Sequence, residues 1–473
     1  MLINNQDVPT DSYAEVRDPG RLTDVVGEVA QGTAQHVEQA VQAAHQAYQT
    51  WHKTDLTERS ELLLKAASLL EAEASTFAPL IARESGMIPS VTLAEIGGAV
   101  AGIRHTVEAA KVFFEEKQFE DEHSWVSVEK RPIGVIVGIV PWNAPVILTM
   151  QKLAPALVCG NTIVFKPSPN APLGISSILM KIAELFPPGV INVVHGGGDV
   201  GSALTAHPLV RKISFTGGGT VAKYVMQDAA NSLKNVHFEL GGNDPAIVLD
   251  DADMQEVLPK IVTSVFRRSG QYCYATKRVY VPQNMYEKFF DEMCQIVDQY
   301  QIGHQMDPKV TFGPLNNKVQ FNYVNELIER TKQSGAQTVI LGEKVEPDNW
   351  DNGYYLQPVI VKNPHPNQEI VTCEQFGPII PLIPYSTEEE VLQMANSTDY
   401  GLGSTIWSSD FDRAVRLSRQ IEAGMTFINQ NGQSRLGLRH IPFGGVKQSG
   451  IGRENSEIGL AEYIEYHSIN YHK

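Results

Sequence analysis

Hydrophobic and polar positions change their rhythm as the chain advances. Between Val37 and Trp51, Ala, Gln and other good helix formers predominate. Leu62, Leu63, Ala66, Leu69 and Leu70 then recur at helical spacing, which predicts a long helix capped by Thr57 and ending near Gly86. A further helix is expected from about Val91 to Phe114, with Ala99, Gly102, Thr106 and Ala109 as a face of small residues. The first third therefore reads as mostly helical. Beyond it, Glu115 to Glu122 is acidic and polar, and Ser124 to Glu129 alternates like a strand.

From Gly134 the pattern becomes strand, helix, strand. Gly134 to Val140 and Thr162 to Phe165 are short, branched, apolar runs that suit strands buried on both faces. Leu173 to Leu185 reads as a helix closed by Pro187-Pro188-Gly189, and Val190 to Val194 as the next strand. Lys212 to Phe215, His237 to Leu240 and Ala246 to Leu249 continue the series. Such alternation predicts an α/β fold with parallel sheet, whose ligands bind at the carboxyl ends of the strands. Those ends carry Pro141-Trp142-Asn143, Lys166-Pro167-Ser168 and Phe215-Thr216-Gly217-Gly218-Gly219. A second α/β region follows, with helices at Met254 to Arg268 and Tyr286 to Tyr300. Its strands are placed at Arg278 to Val281, Thr338 to Leu341 and Ser404 to Trp407, before a glycine-rich loop from Pro442 and an alternating tail, Tyr463 to Tyr471.

Composition narrows the picture. The 473 residues suffice for two or three domains, and 42% hydrophobic with 19% charged residues is the balance of a globular protein. A net charge of −16 disfavours binding that depends on neutralising nucleic-acid phosphates. Ile133 to Val140 is too short to span a bilayer, and the first seven residues lack both a basic region and an apolar signal core. The four cysteines, Cys159, Cys273, Cys294 and Cys373, form no close pair or metal-like spacing. A reducing cytoplasm and no metal are the expectations.

Chemistry concentrates in two glycine-marked segments. Cys273 lies in Ser269-Gly270-Gln271-Tyr272-Cys273-Tyr274-Ala275, and Glu239 in Phe238-Glu239-Leu240-Gly241-Gly242. A thiol can attack a carbonyl carbon, and a carboxylate can activate the water that later releases the acyl group. A lone cysteine, by contrast, is more often a small buried hydrophobe.

Seven motifs in order resemble the NAD(P)-dependent aldehyde dehydrogenase superfamily over nearly the whole chain. They are Pro141-Trp142-Asn143-Ala144-Pro145, Phe165-Lys166-Pro167-Ser168, Phe215-Thr216-Gly217, Glu239-Leu240-Gly241-Gly242, Gly270-Gln271-x-Cys273, Glu374-Gln375-Phe376-Gly377-Pro378 and Pro442-Phe443-Gly444-Gly445. The resemblance implies that Cys273 forms a thiohemiacetal and then a thioester, which water activated by Glu239 hydrolyses. Asn143 would supply one donor of the oxyanion hole and the Cys273 backbone N–H the other. As a plainer alternative, Asn143 caps the helix after Pro145. Lys152 matches a family lysine that supports Asn143 and proton movement.

For the cofactor, the resemblance implies contacts from Trp142, Lys166, Ser168, Thr216, Gly217, Gly218, Leu240, Glu374 and Phe376. Glu374 would hold the nicotinamide ribose, with Phe376 packed beside it. Two departures keep NAD and NADP both open, NAD being the commoner choice in the family. The glutamate that accepts from the adenine ribose in NAD-preferring members is Pro169, and the usual Ser and Gly of the glycine turn are Gly218 and Ala222. Ala144, Leu148, Gln151, Tyr272 and Tyr274 are the expected substrate contacts, and Arg435 or Arg439 could grip a substrate carboxylate or lie at a surface.

The implied architecture is a Rossmann-like cofactor domain (1–116 and 133–240), an α/β catalytic domain (241–450) and a small β oligomerisation element (117–132 and 458–473). A homodimer or homotetramer acting on a small-molecule aldehyde, with no nucleic-acid or membrane partner, is expected. Two other functions compete. A CoA-acylating semialdehyde dehydrogenase generally lacks the general base seen here as Glu239, and a non-catalytic relative need not keep Asn143, Glu239 and Cys273 together.

Overall fold

Short runs of branched apolar residues become buried parallel strands, because they have no polar face to offer water. The computed structural model describes residues 1–432, 436 and 440–473. Among these residues, the larger sheet has five central parallel strands in the spatial order Ile191–Val193, Thr162–Lys166, Val135–Ile139, Val210–Thr216 and Asn235–Glu239. In chain order that is third, second, first, fourth, fifth. The winding therefore reverses between Val135–Ile139 and Val210–Thr216, and a crevice opens at the carboxyl ends where it does so. Leu2–Ile3 and Gly450–Ile451 flank the five in antiparallel pairing, with Gln6–Asp7 outside Leu2–Ile3.

Alternation along the strands divides the core. Ile136 and Ile163 join Leu63, Leu70, Ile96, Ile103, Leu153 and Leu157 on one face. Val135, Val137 and Val164 join Val37, Ala40, Val41 and Ala44 on the other. Each fully buried Leu or Ile contributes about 1.5–3 kcal/mol relative to exposure. The second large sheet runs Gln337–Ile340, Val359–Lys362, Ile379–Tyr385, Thr276–Pro282, Asp244–Val248, Thr405–Trp407 and Phe427–Ile428 in spatial order, parallel except at the first pairing. A separate antiparallel sheet sets Ser124–Pro132 between Lys117–Glu120 and Ile464–His472. The mixed α/β architecture matches the expectation.

Two local expectations fail. The helix expected to run to Gly86 is two helices, Leu56–Ala72 and Ala74–Ser85, separated at Glu73. Its cap is Asp55, not Thr57: Asp55 sits in extended backbone and its side chain accepts from the Glu58 N–H at 2.8 Å. Both helices feed the same apolar cluster, so the hydrophobic rhythm continues across the break and conceals it. The opening 30 residues, placed in a mostly helical third, instead form Leu2–Ile3, Gln6–Asp7 and the hairpin Tyr13–Asp18 with Arg21–Ala30. Only Val16, Asp18, Val29 and Ala30 of its two strands are buried, and its residues give no apolar alternation to read.

Among the described residues, no helix is long and apolar enough to cross a membrane. Nor do three or more His, Cys, Asp or Glu gather where they could hold a metal ion.

Candidate active site

The segment that carries Cys273 is a constrained turn between a helix and a strand. After Met254–Phe266 the chain passes through three left-handed residues, Arg268 (φ 56°), Ser269 (φ 57°) and Gly270 (φ 76°). Such backbone costs about 1–3 kcal/mol for a non-glycine residue and persists only when its surroundings dictate it. Here Ser269 Oγ donates to the Gly313 carbonyl at 2.8 Å, and Arg268 Nη1 lies 2.9 Å from Glu95 Oε2. Gly270 has no substitute, because a Cβ there would collide with the Gly377 carbonyl. The turn presents Cys273 just before the strand Thr276–Pro282.

Two cavities meet at this cysteine. One, of about 420 Å³, is walled by Val91, Ala144, Ile147, Gln151, Tyr272, Tyr274, Phe427 and Phe443. The other, of about 300 Å³, lies at the switch point of the first sheet and is walled by Trp142, Thr216, Gly217, Gly218, Glu239, Leu240, Glu374 and Phe376. Asn143, Leu148 and Cys273 line both. The positions read as substrate contacts thus fall in the first cavity. Most of those read as cofactor contacts fall in the second. Lys166, Ser168 and Pro169 lie outside both, at the end of Thr162–Lys166, with Lys166 buried, Ser168 half-buried and Pro169 exposed. Burial brings the Lys166 ammonium down to about 8, with Asp199 opposing. Arg435 and Arg439 lie outside the described residues.

Asn143 does not cap the helix it precedes. Ala144 occupies the cap position of Pro145–Val158, and Glu95 Oε1 accepts from the N–H groups of Val146 (2.8 Å) and Ile147 (3.2 Å). A carboxylate from another helix therefore satisfies the orphan donors, where the helix dipole also favours negative charge. That frees the Asn143 amide, whose Nδ2 donates to the Gln271 carbonyl at 3.0 Å. Arg268 also donates to the Asn143 carbonyl, joining this residue to the Cys273 turn. Sequence reading missed Glu95 and Arg268. No local spacing links position 95 to position 146, and only an acid on an otherwise apolar helix face hinted at it.

Glu239 is fully buried, and its oxygens meet no hydrogen-bond donor other than the Cys273 thiol. Burial pushes its carboxyl well above the ordinary range; Glu454 adds to the rise, while Lys152 opposes it. Lys152, expected to support Asn143, is instead fully buried against Glu454, with Nζ 2.7 Å from Oε1. The physical reason is that a buried ammonium requires a counter-ion, which an amide cannot provide. His237 adds a ring nitrogen 3.9 Å from the same Glu454 oxygen. The Cys273 thiol is likewise pushed well up, by burial first and by Glu239 second, against the pull of Lys277.

The second cavity has features that fit a dinucleotide. Thr216 Oγ1 is buried without a partner, and the helix Gly219–Ala230 begins directly after Gly218 with no side-chain cap. Free N–H groups at a helix start suit a pyrophosphate. Glu374 Oε1 accepts from the Gly242 N–H at 3.1 Å, an approach that leaves no room for a Cβ at Gly241. The rings of Trp142 and Phe376 meet edge to face at 5.7 Å.

Comparison with known proteins agrees with this geometry. The profile of the Aldehyde dehydrogenase family matches residues 7–469. The 3-sulfolactaldehyde dehydrogenase of Pseudomonas putida is 34% identical, the match covering 93% of this chain and 90% of that protein. The betaine aldehyde dehydrogenase of Staphylococcus aureus, solved with NAD+, superposes with a TM-score of 0.94 at 28% identity, covering 99% of this chain and 94% of that one. An NADP dependent enzyme of E. coli superposes with a TM-score of 0.93 at 32% identity, covering 100% and 98%. With a family match across nearly its full length, the same fold and these two cavities, the chain belongs to the aldehyde dehydrogenase family.

Proposed function

We propose that this protein oxidises an aldehyde to its carboxylic acid with NAD(P)+, by acyl chemistry on Cys273. The observation that carries the reading is that Cys273 and Asn143 line both cavities, so a carbonyl bound in one faces a hydride acceptor bound in the other. Cys273 gives its thiol proton to Glu239, which passes it on to solvent, and the sulfur bonds to the aldehyde carbon as the carbonyl π pair moves onto oxygen. The oxygen that becomes anionic is held by the Cys273 N–H and by Asn143, whose NH₂ keeps a second donor beyond its bond to Gln271. NAD(P)+, when bound, supplies the hydride-accepting ring. Trp142, Thr216, Gly217, Gly218, Leu240, Glu374 and Phe376 would hold it, with Lys166, Ser168 and Pro169 towards its adenosine end.

Loss of hydride from the carbon leaves a thioester on Cys273. Glu239 then takes a proton from the water that attacks this thioester, and acid departs as the thiolate returns. A raised carboxyl suits the task, since a carboxylate at its ordinary value is a weak base for deprotonating water. Either nucleotide is compatible with Pro169, which neither accepts from a ribose hydroxyl nor repels a 2′-phosphate. Phe119, Tyr466 and Tyr471, exposed on the three-stranded sheet, support assembly of copies through that sheet.

The test is a panel of aliphatic, aromatic and acid-bearing aldehydes offered with each nucleotide and no CoA. Reduced-nicotinamide absorbance should rise and free acid should form. Cys273→Ala should abolish both while nucleotide binding stays within about twofold of the unaltered protein. Full turnover by that variant would remove Cys273 from the role. A requirement for CoA would favour the acylating alternative.

A further inference from the structure

Lys277 is only 2% exposed, and no step above uses it. Four oxygens surround its ammonium. They are the carbonyls of Cys273 (2.5 Å), Tyr272 (3.2 Å) and Ala275 (3.3 Å), and Glu374 Oε1 (3.4 Å). An ammonium has three protons to give and nothing to accept, so these oxygens use it fully. Three of them belong to the loop that carries the nucleophile. The fourth belongs to the wall of the cofactor cavity. We propose that Lys277 is a positioning residue that ties the backbone around Cys273 to Glu374 and supplies the positive charge that favours the thiolate. The proposal rests on Cys273 being the nucleophile and Glu374 a cofactor contact.

The tether has a stereochemical consequence. A peptide unit is planar and trans, so its carbonyl and the following N–H point in opposite directions. Holding the Tyr272 carbonyl on Lys277 therefore turns the Cys273 N–H away from Lys277. That N–H is the donor the oxyanion needs. The Ala275 N–H also donates to the Tyr272 carbonyl at 3.2 Å, so losing Lys277 would leave that peptide on one hold instead of two and loosen the aim of the donor.

The charges around the sulfur point the same way. Glu239, Asp244 and Glu374, from three different segments, push the Cys273 thiol up, and of the groups acting most strongly only Lys277 pulls it down. Arg268 is committed to Glu95, and Arg267 stacks on Tyr272 and reaches the Tyr274 hydroxyl at 3.3 Å. Behind Glu239, Lys152 is committed to Glu454. Asp244 is pushed up to about 7 by burial, with Lys277 the largest influence opposing it. Lys277 thus acts electrostatically on Asp244 and on the Cys273 thiol, and pairs with Glu374.

The experiment follows alkylation of Cys273 by iodoacetamide across pH, with the site read by mass spectrometry, alongside direct measurement of NAD(P)+ binding. Lys277→Met should move the alkylation midpoint up by about one pH unit, which is about tenfold less reactive thiol at neutral pH. It should also weaken nucleotide binding by about fivefold or more, through the loosened Glu374. Lys277→Gln, which keeps donors without charge, should show the same upward move. Lys277→Arg should hold the midpoint yet lower turnover, since its planar fork cannot reproduce the three carbonyl contacts. A midpoint unchanged in folded Lys277→Met or Lys277→Gln overturns the electrostatic role, and unchanged nucleotide binding overturns the tether. Because alkylation needs no aldehyde, these results stand apart from whether the unaltered protein oxidises one.

Discussion

Glu239 shows how much of the chemistry is decided at a single residue. Its carboxyl is raised by burial first and Glu454 second, from an ordinary value of 4.5. A group raised in this way keeps its proton to higher pH, so base catalysis by it is lost as pH falls through the raised value. The acid limb of kcat should therefore lie well above pH 4.5. Between 4.5 and that raised value the folded chain holds a proton the unfolded chain has released, so stability falls as pH rises through this window. Glu239→Gln should flatten that stability loss in thermal unfolding. It should also slow thioester release by about 100-fold or more, leaving an acyl group on Cys273 visible by mass spectrometry. Prompt acid release without the adduct would assign water activation elsewhere. Cys273, Glu239 and Asn143, which line the cavities, stood out in the sequence because each lies in a short contiguous motif. Lys277 stands only four positions from Cys273 and was passed over, because lysine is ordinarily exposed and a linear chain does not announce burial. Glu454, the partner that redirects Lys152, lies 302 residues away in sequence.

At the level of elements, a helix after Pro145 was expected and Pro145–Val158 forms there, whereas what holds its start was not legible. The sequence offered Asn143 as a cap, and the folded chain uses Glu95 from Pro89–Phe113 instead. The substitution matters because the same carboxylate pairs with Arg268, whose own left-handed backbone sets the Cys273 turn. One acid thus aligns two loops that carry different parts of the site. Glu95→Ala should leave the Arg268 charge and two helix N–H groups without partners, at a cost of about 3–5 kcal/mol in denaturant unfolding. In the protein that still folds, kcat should drop about tenfold or more while nucleotide binding is retained, because Asn143 loses its alignment and the second cavity does not. A loss below about 1 kcal/mol would mean that water replaces the carboxylate without consequence.

For the whole molecule, alternation of strand and helix revealed the α/β plan because buried parallel strands must be apolar on both faces. The hairpin Tyr13–Asp18 with Arg21–Ala30, in which few strand residues are buried, was invisible for the opposite reason. The tail Ile464–His472 was legible as a strand, and its nine-residue pairing with Ser124–Pro132 leaves a sheet with two free edges. Free edges and exposed aromatic rings are both costly features to leave in water, and natural sheets usually cover one or blunt them with charge. By register, Phe119 and Tyr466 share one face and Tyr471 lies on the other, with exposures of 61%, 60% and 59%. Copies of the chain pairing through this sheet would bury the rings and satisfy an edge together. Replacing Phe119, Tyr466 and Tyr471 by lysine should then shift the protein to a smaller species in size-exclusion chromatography with light scattering, while Cys273 keeps its alkylation profile. An unaltered mass would place the interface elsewhere. A monomeric unaltered protein would remove the assembly, and the three rings would then need another partner to account for their exposure.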